Sequence, residues 1–87
     1  MDFDGANYGY QLVDKATGEI KKFGETISPR TRYSDKFLTE NGLQLQVVTY
    51  GSKQEVHAWQ HDMITQYFNE NGGIFPESLP SLNKSFW

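Results

Sequence analysis

The fold is decided by residues 8–23, which read YGYQLVD-KATG-EIKKF. Over residues 8–14, Tyr8, Tyr10 and Leu12 share one face and Val13 lies opposite, a pattern typical of a β-strand. Residues 15–18 predict a turn, because Gly18 can adopt a positive φ. Residues 19–23 predict a second short strand, so the stretch indicates an antiparallel hairpin.

Downstream of this hairpin the pattern predicts a helix. Residues 24–27 interrupt the strand, and Ser28-Pro29 then has the form of a helix start, with Ser28 as N-cap and Pro29 at the first helical position. We expect this helix to reach about Leu38. Asn41-Gly42 would end it.

The second half of the chain predicts one strand and one longer helix. Residues 43–50, LQLQVVTY, alternate and then become apolar, which indicates a strand. Ser52-x-x-Glu55 is a capping box that begins a helix to about Phe68, and Asn71-Gly72-Gly73 would stop it. The order β-β-α-β-α predicts an α+β domain with a three-stranded antiparallel sheet flanked by helices.

Length and composition limit the organisation. The 87 residues allow one domain, 1–87, with a loose N-terminal segment at 1–7 and a C-terminal tail at 72–87 packed by its aromatic residues. The absence of cysteine excludes disulfides and thiolate metal sites. No apolar run approaches the ~20 residues of a membrane span, so we expect no membrane insertion by this domain.

Charge is distributed unevenly along the chain. The formal net charge of −3 argues against a broadly basic nucleic-acid binder. Residues 15–36, however, carry six cations against three acids, a local net charge of +3. This segment is either a basic face or part of an ordinary mixed surface.

Position 60 is unusual within the second helix. The expected inward stripe is Val56, position 60, Met63, Ile64 and Tyr67. Because position 60 is Gln, either the stripe is rotated and Trp59 fills the core, or Gln60 faces a polar site. His57 and His61, at i and i+4, could share a metal ion, but no third ligand is evident, which favours two surface histidines.

Several features recur in one order along the chain. Tyr10 lies on the first strand, Gly24 follows the second, and Arg32 comes eight residues later. A helix containing residues 58–64, AWQHDMI, follows the third strand, and Asn83 lies near the end. Over roughly residues 8–84 the chain resembles the GIY-YIG nuclease domain, which has a β-β-α-β-α core.

The resemblance assigns motifs and shows two departures. Residues 8–10 and 22–24 lie where the two family tripeptides fall, and Arg32 and Asn83 match the family's helix arginine and late asparagine. Lys22 replaces the second motif's tyrosine. Gln60 stands at the position of the glutamate that binds a single divalent metal in the family, either as a silencing replacement or in a naturally inactive copy.

The resemblance also implies roles in hydrolysing a phosphodiester. Tyr10 would accept or relay the proton of water, Arg32 would clamp the phosphate, and Lys22 would add positive potential. Position 60 would hold Mg²⁺ or another divalent metal if it were Glu; with Gln60 we expect none to be bound. Expected substrate-binding residues are Tyr8, Gly24, Thr26, Arg30, Lys36 and Asn83. Each of these side chains could instead be an ordinary core or surface residue.

The biological setting follows from the same resemblance. The turn at residues 17–19, residues 22–26 and the ending at 83–87 look like the GIY-YIG domains at the C-termini of bacterial polymorphic toxins. That implies nucleic acid as substrate, DNA rather than RNA, a cognate immunity protein, and delivery by secretion into a target cell's cytoplasm within a larger toxin. A non-catalytic nucleic-acid-binding module and a protein-interaction domain that docks through its aromatic tail remain open alternatives.

Overall fold

The computed structural model describes residues 6–86 and has the predicted α+β architecture. Its elements are β1 (Asn7–Asp14), β2 (Ile20–Thr26), α1 (Asp35–Glu40), β3 (Leu43–Gly51) and α2 (Lys53–Glu70). The predicted hairpin, the third strand and both helices are therefore present, although several boundaries differ.

The three strands form one antiparallel sheet in the order β2-β1-β3. In the turn after β1, Asp14 Oδ1 accepts hydrogen bonds from the backbone N–H groups of Ala16 and Thr17, and Gly18 has a φ of 78°. The Asp14 carboxylate thus stabilises the turn through these hydrogen bonds, and Gly18 adopts its left-handed conformation. The central strand is the most buried because both its edges are paired.

The second strand is longer than the sequence predicted. It continues through Gly24 to Thr26 instead of ending at Phe23. A Cβ on Gly24 would lie 2.5 Å from Cζ and Oη of Tyr10 on the neighbouring strand. Gly24 therefore lies within β2 and does not end it. Its lack of a side chain leaves room for the Tyr10 ring to cross the strand.

The first helix begins later than the sequence predicted. It starts at Asp35, with Ser34 as N-cap accepting a hydrogen bond from Phe37 N–H. The Ser28-Pro29 pair instead opens a turn, in which Thr31 N–H donates to Ser28 C=O. Proline with φ near −65° suits the second position of such a turn as well as the first of a helix.

Packing on the two faces of the sheet gives two small cores. On one face Tyr10, Leu12 and Leu43 are buried, and three half-buried residues pack against them: Tyr33, Leu38 and Leu45. On the other, Phe23 and Ile64 pack with tail residue Leu79 beneath α2. Fully burying a side chain such as Leu12 contributes roughly 1.5–3 kcal/mol.

Helix α2 has both ends defined by local chemistry. The predicted capping box is present, because Ser52 Oγ accepts from Glu55 N–H and the Glu55 carboxylate accepts from Ser52 N–H. These bonds lower the pKa of Glu55. Both interpretations of the inward stripe hold in part, since Gln60 is buried and half-buried Trp59 packs edge-on against Phe23.

The C-terminal tail packs onto the domain. Leu82 N–H donates to the Lys21 carbonyl of edge strand β2, and the Phe86 ring lies edge-on against Phe68. Trp87 and residues 1–5 lie outside the described residues. The prediction that the loose segment extends to residue 7 is wrong, because Asn7 is buried and begins β1. Within residues 6–86, no helix has the length and apolar character needed to cross a membrane.

Candidate functional site

A polar cleft of about 300 Å³ brings together residues from β1, β2, the loop before α1, α2 and the tail. Six residues predicted from the sequence line it: Tyr10, Lys22, Gly24, Arg32, Gln60 and Asn83. Five further residues complete the lining: Glu25, His57, Leu82, Lys84 and Ser85. We call this space the cleft.

Tyr10 forms a buried part of the cleft wall. It is 1% exposed, and its hydroxyl lies 2.9 Å from that of Tyr33. The two rings meet edge to face at 82°, with centroids 5.9 Å apart. Because Gly24 has no side chain, the Tyr10 ring reaches across β2 to meet the loop before α1.

Tyr33 contacts two cations, Lys22 and Arg32, which we call the cation pair. Lys22 Nζ donates to the Tyr33 hydroxyl at 3.3 Å, and the Arg32 guanidinium lies 4.5 Å from the centre of the Tyr33 ring. Phe37 stacks on that ring at 18°. The sequence reasoning missed Tyr33, whose only signal is an aromatic residue directly after Arg32.

Burial determines the protonation state of Tyr10. Desolvation raises the pKa of its phenol well above the ordinary value, the contacts with Tyr33 raise it further, and Arg32 acts in the opposite direction. The phenol therefore keeps its proton at neutral pH. This environment suits hydrogen-bond donation and does not support the expected role of Tyr10 as proton acceptor.

Gln60 carries a buried polar atom with no partner. Its side chain is 6% exposed and lines the cleft, and its Oε1 accepts no hydrogen bond from any described residue, 6–86. An unsatisfied buried acceptor costs about 1–3 kcal/mol. The Oε1 atom is thus enclosed, and its capacity to accept a hydrogen bond is unfilled.

A histidine and a carboxylate are paired at the same site. His57 Nδ1 is hydrogen bonded to Glu25 Oε2, joining α2 to β2. The sequence reasoning treated His57 as a surface or metal-binding residue and missed Glu25. His61 lies against the Phe86 carbonyl at 3.2 Å, so the two histidines do not converge on one ion.

The residues present do not fit a resident Mg²⁺. A hard cation is held by carboxylate oxygens, whereas Gln60 supplies a neutral amide and the Glu25 carboxylate is already paired with His57. Across residues 6–86, no group of three or more histidine, cysteine or acidic side chains could hold a metal ion.

Asn83 lines the cleft but has a structural contact as well. Its Oδ1 accepts from Phe23 N–H at 2.9 Å, and its Nδ2 donates to Phe23 C=O at 3.0 Å. The Asn83 side chain thereby pairs backbone groups on the edge of β2 that faces away from β1, as a neighbouring strand would. Both hydrogen-bonding atoms of Asn83 are thus engaged by the backbone.

Four predicted substrate-binding residues lie outside the cleft lining: Tyr8, Thr26, Arg30 and the exposed Lys36. The Tyr8 ring faces that of Tyr50, 6.2 Å away. Thr26 Oγ1 accepts from Ser28 N–H. Arg30 lines a separate groove between α1 and β3. The structure therefore brings together part of each motif, and the basic segment as a whole does not line the cleft.

The chain matches no family model, no curated protein and no solved structure. The resemblance to the GIY-YIG domain therefore depends on the order of elements and on the motif residues. The function is argued from the cleft and its side chains.

Proposed function

We propose that the cleft binds a phosphodiester group of nucleic acid and that the chain is a nuclease-type domain of the GIY-YIG kind. The observation that carries this proposal is that Tyr10, Lys22, Arg32 and Gln60, distant in sequence, line one cleft. They are also the residues to which the resemblance assigns the reaction.

The charge of the cleft supports a phosphate ligand. Of the residues within 6–86 that line it, Lys22, Arg32 and Lys84 are cationic and Glu25 alone carries a carboxylate. The planar guanidinium of Arg32 matches two phosphate oxygens, while the Lys22 ammonium acts as a point charge. A local concentration of cations in a chain of net charge −3 attracts phosphate at one place.

Each group has a role in phosphodiester cleavage. Negative charge accumulates on the phosphate oxygens in the transition state, and the cation pair would stabilise it. Tyr33 is a positioning residue for both cations, and Tyr10 supports Tyr33 from below. Because a metal does not fit the donor set, no step of this scheme passes through one.

Binding tests the first part of the proposal. We expect Lys22→Ala and Arg32→Ala each to weaken binding of a fluorescent oligonucleotide about 10- to 100-fold, the effect of losing a charged hydrogen bond. Each should also lower the slope of log binding constant against log salt concentration by about one, the contribution of one phosphate contact. Lys53→Ala, at an exposed lysine outside the cleft, is the matched control.

Restoring a carboxylate tests the nuclease assignment. We expect Gln60→Glu to cut plasmid DNA in Mg²⁺ and to lose that activity in EDTA or when combined with Arg32→Ala. Binding without any cutting by Gln60→Glu would instead favour the non-catalytic binding module. Absence of nucleic-acid binding that depends on the cation pair would overturn the proposal.

The toxin setting is part of the same proposal and depends on the resemblance. The domain would act inside a target cell after secretion within a larger protein, and an immunity protein would protect the producer. Such a partner would need an acidic surface to cover Lys22, Arg32 and the neighbouring Arg30 and Lys36. Co-purification of the chain with the product of a neighbouring gene would test this.

A further inference from the structure

Two tyrosines lie side by side at one end of the sheet. Tyr8 is opposite Tyr50 in the pairing of β1 with β3, and their ring centroids are 6.2 Å apart. A Cβ on Gly9 would lie 2.6 Å from the Trp59 ring, so this residue faces α2. Successive residues of a strand face opposite ways, so Tyr8 and Tyr10 face away from α2. Because directly opposed residues share a face, Tyr50 lies on that side as well.

The cation pair lies on the same side of the sheet. Lys22 is opposite Leu12 of β1, and Leu12 is two residues from Tyr10, so all three share one face. Arg32 lies over the ring of Tyr33, whose hydroxyl contacts that of Tyr10. A ligand bound by the cation pair therefore lies on the side of the sheet that presents the two tyrosines.

A third ring is presented next to the cation pair. Phe37 stacks on Tyr33 at an interplanar angle of 18°, with the ring centroids 5.2 Å apart, and is 38% exposed. Tyr50 is 69% exposed, so the fold buries neither of these two side chains. We call the three rings on this side the aromatic surface: Tyr8, Phe37 and Tyr50.

The ligand that fits this side of the sheet carries negative charge together with flat rings. A polynucleotide carries both, because each nucleotide supplies one phosphate and one base, and bases stack on aromatic side chains. In a duplex the faces of the bases are covered by their neighbours. Only unpaired bases can be turned outward to stack on protein rings.

We propose that the chain binds single-stranded nucleic acid, with the cation pair on a phosphate and neighbouring bases stacked on the aromatic surface. This inference rests on the proposed function, since it requires a phosphate at the cation pair. It narrows the substrate from nucleic acid in general to strands with unpaired bases. Negative supercoiling favours opening of a duplex, so the plasmid expected to be cut by Gln60→Glu also presents such bases.

The test measures binding of the full chain to two fluorescent DNA probes of equal length in EDTA. One probe is a single strand without self-complementary segments, and the other is a blunt duplex of the same sequence. We expect the single strand to bind about 10-fold or more tightly than the duplex at one salt concentration, because its bases can stack.

Variants of the exposed Tyr50 separate stacking from charge. Tyr50→Leu keeps an apolar side chain but removes the ring, so it should weaken single-strand binding about 10-fold and leave duplex binding unchanged. The dependence of binding on salt should stay the same, because the ring carries no charge. Tyr50→Phe keeps the ring and should bind both probes as the wild-type chain does.

Phe37→Leu tests the second exposed ring and should also weaken single-strand binding about 10-fold. Phe75→Leu is the matched control, because Phe75 is an exposed phenylalanine that stacks on Phe86 at 22° and does not line the cleft. We expect Phe75→Leu to bind both probes as the wild-type chain does.

Equal affinity of the wild-type chain for the two probes would overturn the inference. So would unchanged single-strand binding in both Tyr50→Leu and Phe37→Leu, which would leave the aromatic surface to a protein partner. If binding depends on Lys22 and Arg32 but not on the rings, only the preference for single strands is wrong. If Lys22→Ala and Arg32→Ala bind both probes normally, the proposed function fails with it.

Discussion

The hydroxyls of Tyr10 and Tyr33 share a hydrogen bond of 2.9 Å that ties the central strand to the loop before α1. That loop contains Arg32, whose guanidinium lies over the Tyr33 ring. The same hydroxyl of Tyr33 accepts a hydrogen bond from Lys22 on β2. One tyrosine that belongs to no motif thus contacts both cations.

Removing the Tyr33 hydroxyl should destabilise the residues that line the cleft. Tyr33→Phe takes away one partner of the buried Tyr10 hydroxyl and leaves its contact with Arg32, so we expect the free energy of unfolding to fall by about 1 kcal/mol. Urea denaturation measures this. Nucleic-acid binding should weaken modestly in Tyr33→Phe and more in Tyr33→Ala, which also removes the ring beneath Arg32.

Tyr50→Phe provides the matched control, because Tyr50 is an exposed tyrosine on β3. We expect it to change stability by less than about 0.5 kcal/mol. If Tyr33→Phe proves as stable as Tyr50→Phe, the hydroxyl contact does not stabilise the fold.

The raised pKa of Tyr10 predicts a loss of stability in alkali. Unfolded tyrosine loses its proton near pH 10, whereas folded Tyr10 keeps it. The folded state then binds more protons than the unfolded state, so the free energy of unfolding decreases as the pH rises above about 10. Below that pH the stabilisation is fully present.

Denaturation curves between pH 9 and 11 measure the effect. Tyr10→Phe cannot ionise, so above about pH 10 its stability should fall less steeply, by about 1.4 kcal/mol per pH unit for the one missing proton. Parallel slopes in the wild-type chain and Tyr10→Phe would contradict the prediction.

Local signals explain why most of the fold could be predicted. The hairpin depends on alternation and a four-residue turn, and α2 on a capping box whose two partners are three residues apart. Two of the wrong boundaries come from residues with two possible uses. Gly24 can end a strand or admit a ring, and Ser28-Pro29 can open a helix or a turn.

The candidate site likewise contains some residues that could be predicted from the sequence and others that could not. Tyr10, Lys22, Arg32 and Gln60 could be named because their order along the chain resembles a known arrangement. Tyr33 and Glu25 could not, because their importance arises only where the loop meets β1 and β2 meets α2. Such contacts join residues 23 or 32 positions apart and leave no periodic trace in the sequence.

Asn83 offers a stability test at the edge of the sheet. Asn83→Ala removes two buried hydrogen bonds and leaves the N–H and C=O groups of Phe23 unpaired. We expect the free energy of unfolding to fall by about 2–4 kcal/mol. The exposed Asn69→Ala should change it by less than about 0.5 kcal/mol. Thermal melts compare the two, and equal midpoints would contradict this role of Asn83.

Gln60→Met should test the stability cost of the buried acceptor. Methionine keeps nearly the length of glutamine but removes Oε1, so the cost of an unpartnered buried acceptor disappears. We expect the variant to be as stable as the wild-type chain or more stable by about 1 kcal/mol. Urea denaturation compares the two chains, and a destabilised variant would mean that the amide is already satisfied in the folded chain.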